Sequence, residues 1–415
     1  MNLKSPLSKN AVLVFYVGTR KISLFISDLS GKDPRVLAHK EILKPAGFEN
    51  GCVVNLEAAV SSIEALVSEL IPKRNQEIQA YVVLGNAKLY VHGFSSSQYF
   101  SGQRSVTSHD IRSVIEQTRS VATLPLTEFV LQIVPESFLV NDTNHVTNPT
   151  GLDAIRLGVN LKFFTMDFQE FRNISKAFEA ADVSVRGYWP RMLTVSESVL
   201  TEPEMEEGVI LVDITDHVTH LTAWKGGTIR QVRNSEFGGK KLSQDISERW
   251  GIDPQDAEKI KENFATMDTD SGGGDEIIPL VTRNGKALRQ IRRQDFQDSF
   301  IEIAKEWVAG ILKEMDDMAA HEKIHYPHCV VTGGGVRFSG FIEFLNQNFG
   351  REARIGLARG VDAPQEKLVD PSVAAVYGMY RWLGDDGMKY EQLIAPRGIM
   401  EKTLSSAKDW FCNYF

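Results

Sequence analysis

A run of three glycines behind an apolar strand is the clearest sign of ligand chemistry in the sequence. Cys329–Thr332 has the composition of a buried strand, and Gly333, Gly334 and Gly335 follow it directly. Glycine lets a backbone pass close to a bulky neighbour, and the N–H groups of such a turn can face a nucleotide. A tight turn between a strand and a helix would explain the same residues without a ligand.

A glutamate and a lysine three residues apart form a second candidate. Glu258 and Lys261 fall within a predicted helix at 255–264, and this spacing puts both side chains on one helix face. A carboxylate and an ammonium group in that arrangement could hydrogen-bond a ribose. The simpler alternative is a surface salt bridge on a solvated face.

A glycine pair, Gly238 and Gly239, opens a further predicted helix at 242–250. The N-terminus of a helix attracts anions because its first N–H groups have no partner within the helix. An ordinary turn has the same composition, so the pair alone does not choose between the two interpretations.

The elements around these candidates include two stretches that resemble each other. Residues 11–28 (AVLVFYVGTRKISLFISD) and 208–226 (GVILVDITDHVTHLTAWKG) each contain an apolar run, a short turn and a second β-rich run. Each pattern predicts a β-hairpin. Similar hairpins near the starts of the two halves indicate a duplicated domain, and two unrelated hairpins are the alternative.

Helices and strands alternate along the rest of the chain, which is typical of an α/β fold. Strands are predicted at 80–84, 129–134, 137–140 and 156–164, and helices at 57–70, 108–121, 167–181, 190–200, 296–321, 341–349 and 372–383. Residues 384–398 have the composition of a linker, and a final short helix is predicted at 400–415.

Composition narrows the function classes. The chain of 415 residues carries a net charge of −8, which argues against a nucleic-acid partner because such proteins present a basic face. Its three cysteines, Cys52, Cys329 and Cys412, lack metal-ligand spacing and suit a reducing cytoplasm. We expect no signal peptide, and no apolar run reaches about 18 residues, so any membrane role is expected to be peripheral.

Three motifs in the first half resemble the FtsA family of actin-like bacterial cell-division proteins. IVPE at 133–136, NPTGL at 148–152 and the pair Arg156-Leu157 are similar to the inserted subdomain of that family. This subdomain separates the family from other actin-fold proteins. The resemblance extends over nearly the whole chain.

The nucleotide-binding elements of the family are matched in part. SESVLT at 196–201 is similar to the helix before its second phosphate hairpin, and residues 332–335 are similar to its adenosine motif. The cofactor-binding residues that the resemblance implies in this half are Gly238, Gly239, Glu258, Lys261, Gly333, Gly334 and Gly335. The implied cofactor is ATP, with Mg²⁺ only where ATP binds.

The implied fold is that of the actin, Hsp70 and sugar-kinase superfamily, an α/β fold with two RNase H-like halves. The expected subdomains are 1–85 with 167–207 (first actin-like), 86–166 (inserted), 208–234 with 326–383 (second actin-like) and 235–325 (FtsZ-tail binding). A linker at 384–399 and a membrane-targeting amphipathic helix at 400–415 complete the chain.

The first phosphate hairpin departs from the family pattern. Where the family has Asp-Ile-Gly-Thr, this chain has Tyr16, Val17, Gly18 and Thr19, so an aromatic ring replaces the carboxylate on the metal side. Gly18, Thr19 and Lys21 are the phosphate-side residues that the resemblance implies here.

The second phosphate hairpin has lost its glycines. The family's Asp-Ile-Gly-Gly-Gly-Thr is replaced by DITDHV at 213–218, and a later aspartate by His220. At ~4 Å from a phosphate and an effective dielectric near ~20, the charge of Asp216 would cost about 4 kcal/mol. These changes predict absent or very slow ATP hydrolysis and weak or lost nucleotide binding. The alternative is that Asp213 with Asp216 still binds a metal and supports catalysis.

The C-terminal helix matches the family's membrane-targeting sequence in position and type. Its apolar stripe and flanking aromatic residues are Met400, Leu404, Ala407, Trp410, Phe411, Tyr414 and Phe415. Such a helix lies in the plane of the lipid headgroups. Its acidic and basic residues balance, so binding should rest on apolar burial and depend little on salt. The alternative is a helix docked on the protein itself or on a partner.

The subdomain that binds the C-terminal tail of FtsZ in the family corresponds to 235–325. Arg289, Arg292 and Arg293 lie at the entrance of the predicted helix at 296–321 and could meet an acidic peptide through charge-assisted bonds. Ile303 stands where a further basic residue is expected. A solvated basic helix start is the alternative.

The resemblance implies a peripheral protein on the cytoplasmic face of the membrane at the division septum. Its expected partners are FtsZ, membrane lipid, further copies of itself in an actin-like polymer, and other division proteins. An actin-fold ATPase or small-molecule kinase is one alternative, although phosphoryl transfer needs a base and phosphate loops that are degraded here. A pilus-assembly scaffold similar to PilM is another, and the inserted-subdomain motifs and C-terminal helix argue against it.

Overall fold

The structure is a computed structural model that describes residues 10–31, 34–71, 79–85, 88–142, 144–268, 276–281, 288–322, 326, 328–350, 352–360 and 373–383. By their internal contacts the described residues fall into two units: those within 10–198 together with 360 and 375–383, and those within 199–359 together with 373–374. The predicted linker and C-terminal helix at 384–415 lie outside the described residues. Among the helices described, none is long and apolar enough to cross a membrane.

The first unit is built on a five-stranded sheet. Its strands are β1 (Ala11–Val17), β2 (Lys21–Asp28), β3 (Arg35–Leu43), β6 (Gln79–Leu84) and β11 (Val185–Pro190), with a small hairpin of β4 (Phe48–Glu49) and β5 (Cys52–Val53) beside it. The strand order is β11-β6-β1-β2-β3. The accompanying helices are α1 (Leu56–Leu70), α3 (Phe168–Ala180), α4 (Arg191–Val199) and α10 (Ala374–Leu383). The predicted first hairpin is confirmed: β1 and β2 pair antiparallel.

Both faces of this sheet are buried: all seven residues of β1 are buried and apolar, and the six central residues of β2 are buried as well. Successive side chains of a strand point to opposite faces. The Phe15 ring lies 5.0 Å from Phe178 of α3 on one face. Phe25 is opposite Val14 and therefore faces the other side, where its ring lies 5.8 Å from Tyr377 of α10.

Helices α4 and α10 approach each other so closely that only glycine fits at the crossing. A Cβ atom on Gly378 of α10 would overlap the Thr194 carbonyl oxygen of α4 and lie 3.2 Å from the Ser198 Cβ. The contact therefore brings the two helix backbones together.

A second sheet is inserted between β6 and α3. It contains β7 (Leu89–Ser105), β8 (Glu128–Val140), β9 (Asn144–Val146) and β10 (Asp153–Asp167), in the order β7-β10-β8-β9, together with α2 (Ser108–Val121). α2 covers one face, where Ile111 and Val114 share a buried cluster with Val159 and Leu161. The strands predicted at 129–134 and 137–140 form one strand, because a register shift lets the ladder continue past Pro135.

The second unit repeats the sheet order of the first. Its strands are β12 (Val209–Ile214), β13 (Thr219–Lys225), β14 (Thr228–Ser235), β17 (Cys329–Thr332) and β18 (Ala353–Ile355), in the order β14-β13-β12-β17-β18. In both sheets an antiparallel three-stranded meander continues into two parallel strands. The prediction of a duplicated domain is confirmed at the level of topology.

Five helices and a hairpin complete the second unit: α5 (Glu202–Glu207), α6 (Gly239–Trp250), α7 (Pro254–Phe264), β15 (Ile277–Val281), β16 (Leu288–Arg292), α8 (Arg293–Glu322) and α9 (Phe341–Phe349). Ile210, Val212 and Ile214 of β12 share one buried cluster with Phe300 and Trp307 of α8. The 30-residue helix α8 begins at Arg293, three residues before the predicted start.

An ion-pair network fixes the start of the second unit. Arg354 donates to both carboxylate oxygens of Glu204, at 2.7 and 2.6 Å, and to the Val199 carbonyl at 2.9 Å. His328 Nε2 lies 3.0 Å from the same carboxylate, and the Thr201 N–H donates to it at 2.7 Å. Burial opposes ionisation of Glu204, but the hydrogen bonds from Arg354, His328 and Thr201 outweigh it and lower the pKa of Glu204 well below its usual range.

Candidate functional site

The turn of the first hairpin is closed by the protein's own backbone. The Gly18 N–H donates to the Lys21 carbonyl at 2.9 Å, and the Lys44 N–H donates to the Arg20 carbonyl at 2.7 Å. The ammonium group of Lys21, a predicted phosphate-side residue, lies 2.8 Å from the Glu41 carboxylate on β3. Lys21 therefore has a partner of opposite charge within its own sheet.

The ring of Tyr16 fills the space above this turn. A Cβ atom on Gly18 would lie 2.5 Å from Tyr16 Cε1, and one on Gly85 would lie 2.8 Å from the Tyr16 hydroxyl. Both glycines are therefore required by the ring. The residue that replaces the family's carboxylate occupies the volume between the ends of β1 and β6.

A buried arginine completes this arrangement. Arg191, at the start of α4, is only 2% exposed, and its guanidinium donates to the Tyr16 hydroxyl at 2.8 Å. The guanidinium carbon lies 5.3 Å from the centre of the Tyr16 ring, within the range of a cation–π contact. Sequence reasoning missed Arg191, because its partner is 175 residues away along the chain.

The turn of the second hairpin is also closed internally. The Thr215 N–H and hydroxyl both donate to the Val218 carbonyl, at 2.9 and 2.6 Å, and the Val218 N–H donates back to the Thr215 hydroxyl at 3.3 Å. The Asp216 carboxylate lies 3.3 Å from His217 Nε2. A threonine hydroxyl thus closes a turn in which the family uses glycines.

The start of α6 packs directly on this turn. The N–H groups of Gly239 and Lys240 donate to the carbonyls of Thr215 and Asp216, at 3.0 and 2.7 Å. A Cβ atom on Gly238 would overlap the backbone of this turn. The first N–H groups of a helix are the ones that bind an anion, and here two of them are used by carbonyl oxygens of the protein. The packing of two backbones thus accounts for Gly238.

Glu258 and Lys261 share one face of α7, as predicted, and Lys261 points inward to the same helix start. Lys261 is 6% exposed, and its ammonium donates to the Gly239 carbonyl at 2.9 Å and to the Glu258 carboxylate at 2.8 Å. The Ser243 hydroxyl donates to the same carboxylate. The interpretation as a salt bridge on a solvated face is therefore wrong for Lys261, while Glu258 stays partly exposed.

The predicted glycine run follows β17 and packs against the end of β12. Gly333 has a φ of +90°, and a Cβ atom there would lie 2.6 Å from Asp213 Oδ1; one on Gly335 would overlap the Ile214 side chain. Of the three, only Gly334 has room for a Cβ atom, which would have nothing within 4 Å. Close packing accounts for two of the three glycines, and contact of the Gly334 backbone with a ligand stays a prediction.

Asp213, the candidate catalytic and metal-binding carboxylate, is almost fully buried at the end of β12 and lies opposite His220 in the ladder. Across the residues that the structure describes, no group of three His, Cys, Asp or Glu side chains could hold a metal ion. The role of Asp213 stays a prediction.

Helix α8 contacts the glycine turn from a second direction. Trp307 Nε1 donates to the Gly238 carbonyl at 3.2 Å. The Phe237 ring packs on the α8 backbone at Gly310, where a Cβ atom would overlap it. Sequence reasoning missed this contact; its signal is a glycine inside a long helix, which costs about 1 kcal/mol relative to alanine unless packing requires it.

Two of the three candidate partner-binding arginines are described with their side chains, and both form exposed ion pairs. Arg292 Nε lies 3.2 Å from the Asp295 carboxylate, and the Arg293 guanidinium lies 2.7 Å from that of Glu276. Arg289 lies on β16. Ile303, at the position of an expected basic residue, is buried in the core of the unit.

Two solved structures show which class of protein has this fold. The PilM–PilN type IV pilus biogenesis complex matches with a TM-score of 0.60 and 14% identity, covering 94% of this chain and 100% of that chain. MreB5 of Spiroplasma citri bound to ADP matches with a TM-score of 0.54 and 10% identity, covering 94% and 99%. The chain has an actin-like fold, and at these identities the likeness concerns the fold alone.

Family and relative comparisons give the particular family. The model of "Cell division protein FtsA" matches residues 210–378, and that of the "SHS2 domain inserted in FTSA" matches 91–165. Cell division protein FtsA of Buchnera aphidicola subsp. Schizaphis graminum is 24% identical over 99% of this chain and 100% of its own. That of Escherichia coli K12 is 23% identical over 96% and 97%. The chain belongs to the FtsA family, and the resemblance inferred from the motifs is confirmed.

Proposed function

We propose that this protein tethers FtsZ filaments to the cytoplasmic face of the cell membrane at the division septum. It self-assembles there as an actin-like polymer and binds other division proteins. Membership of the FtsA family supports the role in cell division. ATP hydrolysis is weak or absent, and the observation that carries this part is the internal closure of both hairpin turns.

Side chains and backbone groups of the protein itself occupy the positions that would have to be free for a phosphate to bind. In the first turn the Tyr16 ring fills the space over Gly18, and the guanidinium of Arg191 binds its hydroxyl. In the second turn the N–H groups of Gly239 and Lys240 are bound to carbonyl oxygens of the protein. Phosphoryl transfer depends on positioned donors and a metal ion around the phosphates, so this geometry supports a role that does not depend on turnover.

The residues expected to contact adenosine are better preserved than those expected to contact the phosphates. Glu258 is partly exposed and Gly334 is open, so these two residues are the ones that would contact an adenosine group. Gly238, Gly333 and Gly335 would act by allowing close packing around the site, and Gly239 by its hydrogen bond to the Thr215 carbonyl. Mg²⁺ would accompany ATP only, with Asp213 as its candidate ligand.

Membrane attachment is assigned to residues 400–415. Burial of each large apolar side chain contributes roughly 1.5–3 kcal/mol, and a stripe with two phenylalanines, a leucine and a methionine offers several. Glu401 and Asp409 balance Lys402 and Lys408. The attachment should therefore vary little with salt concentration.

We assign the binding site for the acidic tail of FtsZ to Arg289, Arg292 and Arg293. The ion pairs that Arg292 and Arg293 now make are exposed, and exposed pairs contribute only about 0–1 kcal/mol. An acidic peptide can therefore replace Asp295 and Glu276 at small cost. We also assign the subdomains as expected from the sequence, with 86–166 as the inserted one and 235–325 as the one that binds FtsZ.

Turnover assays with Mg²⁺ and ATP test the loss of catalysis. We expect no phosphate release above background from the purified full-length protein, and the same result for Asp213→Ala. Turnover that disappears in Asp213→Ala would contradict the proposal, because Asp213 and Asp216 would then support metal-dependent chemistry. Recruitment of FtsZ to vesicles should be the same with and without ATP.

A further inference from the structure

Most sheet edges in the described part of the chain are protected against pairing with another strand. The edge strand β3 carries Lys40 and Glu41, β14 carries Arg230, and β11 ends at Pro190. The edge strands β9 and β18 are three residues long. Charges, proline and short length are the means by which natural proteins block pairing at an edge.

Over residues 89–103, the edge strand β7 of the inserted sheet lacks all of these features. It is 17 residues long, and residues 89–103 contain no Asp, Glu, Lys, Arg or Pro, although 24% of the chain is charged. Gly93 and Ser95 are exposed, and Tyr99 is 71% exposed. Within the described residues its sheet partner is β10 on one side, which leaves its other edge open.

One hydrogen bond identifies which backbone groups lie along the open edge. Gln117 Nε2 of α2 donates to the Ser97 carbonyl at 3.3 Å, so this carbonyl points away from β10. In an antiparallel strand both backbone groups of a residue point to the same side, and the side alternates along the strand. The register with β10 is unbroken from Leu89 to Tyr99. Between Val91 and Tyr99 the outward groups are therefore those of Val91, Gly93, Ser95, Ser97 and Tyr99.

We propose that β7 pairs with β7 of a second copy of this chain, antiparallel and about a two-fold axis at Ser95. This register puts Ser95 opposite Ser95 of the second copy, Gly93 opposite Ser97 and Val91 opposite Tyr99. The outward groups of one edge then meet those of the other along the whole ladder. A two-fold contact of this kind uses the same surface twice and closes on itself.

The chemistry of the strand fits a second copy. Each chain has a net charge of −8, so two copies approach with least repulsion along an uncharged strip. The two-fold register creates no like-charge pair, and by symmetry it creates two pairs of a β-branched and an aromatic side chain, Val91 with Tyr99, which favour pairing. The small residues at the centre, Gly93, Ser95 and Ser97, let the edges approach. This contact is independent of the tethering function proposed above.

Cysteine cross-linking tests the register directly. In the full chain with Cys52→Ser and Cys412→Ser, which retains the buried Cys329, Ser95→Cys should give covalent dimers under mild oxidation. Gly93→Cys is the matched control: it is equally exposed, but its symmetry mate would be about four residues, or roughly 13 Å, away. Gly93→Cys combined with Ser97→Cys should link again.

Association of the unlinked protein supplies the second readout. Ser95→Pro removes an outward N–H without touching the ladder to β10, and Ser95→Lys places two charges opposite each other. Both should shift the monomer–dimer equilibrium towards monomer at least tenfold in sedimentation velocity, while Gln117→Ala, which frees the Ser97 carbonyl, should leave it unchanged or favour dimer. Equal linking of Ser95→Cys and Gly93→Cys, or unchanged association of both Ser95 variants, would overturn the proposal. So would a monomer whose β7 edge takes a strand from another protein.

Discussion

The Tyr16→Phe variant isolates the hydroxyl that the buried Arg191 uses. The phenylalanine ring still fills the space over Gly18 and Gly85, so only one hydrogen bond changes. A hydrogen bond to a charged group contributes about 1.5–3 kcal/mol to stability. Where the donor is buried, water cannot replace the lost bond, so the full contribution is lost. Arg191 is 2% exposed, so we expect Tyr16→Phe to destabilise the first unit by about 2 kcal/mol.

Native-state hydrogen exchange is the suitable assay because it measures opening free energies peptide by peptide. Peptides from β1, β2 and α4 should lose protection in Tyr16→Phe. Peptides from α6 and α8 belong to the second unit and should exchange as in the wild type. Tyr90→Phe is the matched control, because Tyr90 is exposed on β7 and such surface changes stay within about 0.5 kcal/mol.

A larger truncation should show how much the volume of the Tyr16 ring contributes to stability. Tyr16→Ala removes both the hydroxyl and the aromatic volume, and deletion of a buried aromatic ring costs about 3–5 kcal/mol. Tyr16→Ala should therefore destabilise the first unit about twice as much as Tyr16→Phe. Equal losses in Tyr16→Phe and Tyr90→Phe would refute the reasoning, because the hydroxyl would then contribute nothing to the burial of Arg191.

Three further predictions concern single contacts. Gly378→Ala should destabilise the first unit by about 1–3 kcal/mol in urea unfolding, although alanine favours helices, because the new methyl group would overlap the Thr194 carbonyl; a gain in stability would show that the crossing is loose. Glu204→Gln should cost about 2 kcal/mol at pH 7. Because the pKa of Glu204 is lowered in the folded state, that difference should shrink as the pH falls below about 4, where unfolded glutamate takes up its proton; a constant difference would contradict the ion-pair account. Glu276→Gln should tighten binding of the FtsZ tail peptide about two- to fivefold in calorimetry, since Arg293 loses an exposed competitor worth up to about 1 kcal/mol; unchanged affinity would exclude Arg293 from that site.

The sequence predicts the framework of each sheet but not its edges. The two hairpins follow from apolar runs interrupted by short turns, and β17 is confirmed with the bounds predicted for it. β3 and β14 were not predicted, because apolar and polar residues do not alternate strictly in either strand, so the period of two that marks a strand is missing. β7 was not predicted either. Its run of serine, glycine and glutamine has little strand propensity, and the ladder with β10 determines its conformation.

The candidate site could be predicted only where its contacts are local in sequence. Glu258 and Lys261 are three residues apart, and their pairing follows from helix geometry. The contact of Tyr16 with Arg191 joins residues 175 positions apart, and no periodicity reports it. The glycines at 238, 333 and 335 suggest a ligand when read alone, whereas the structure shows protein backbone and side chains packed against them.

Co-sedimentation of the full-length protein with lipid vesicles and FtsZ, without nucleotide, tests the central claim most directly. A variant that ends at residue 399 is the control for the membrane helix, and Arg292→Ala with Arg293→Ala is the control for FtsZ. We expect the full chain to pellet with vesicles and bring FtsZ with it, at the same level after addition of ATP. The truncated chain should stay in the supernatant, and the arginine variant should pellet without FtsZ. A full-length protein that stays soluble, or that recruits FtsZ only with ATP, would contradict a tether that works without nucleotide.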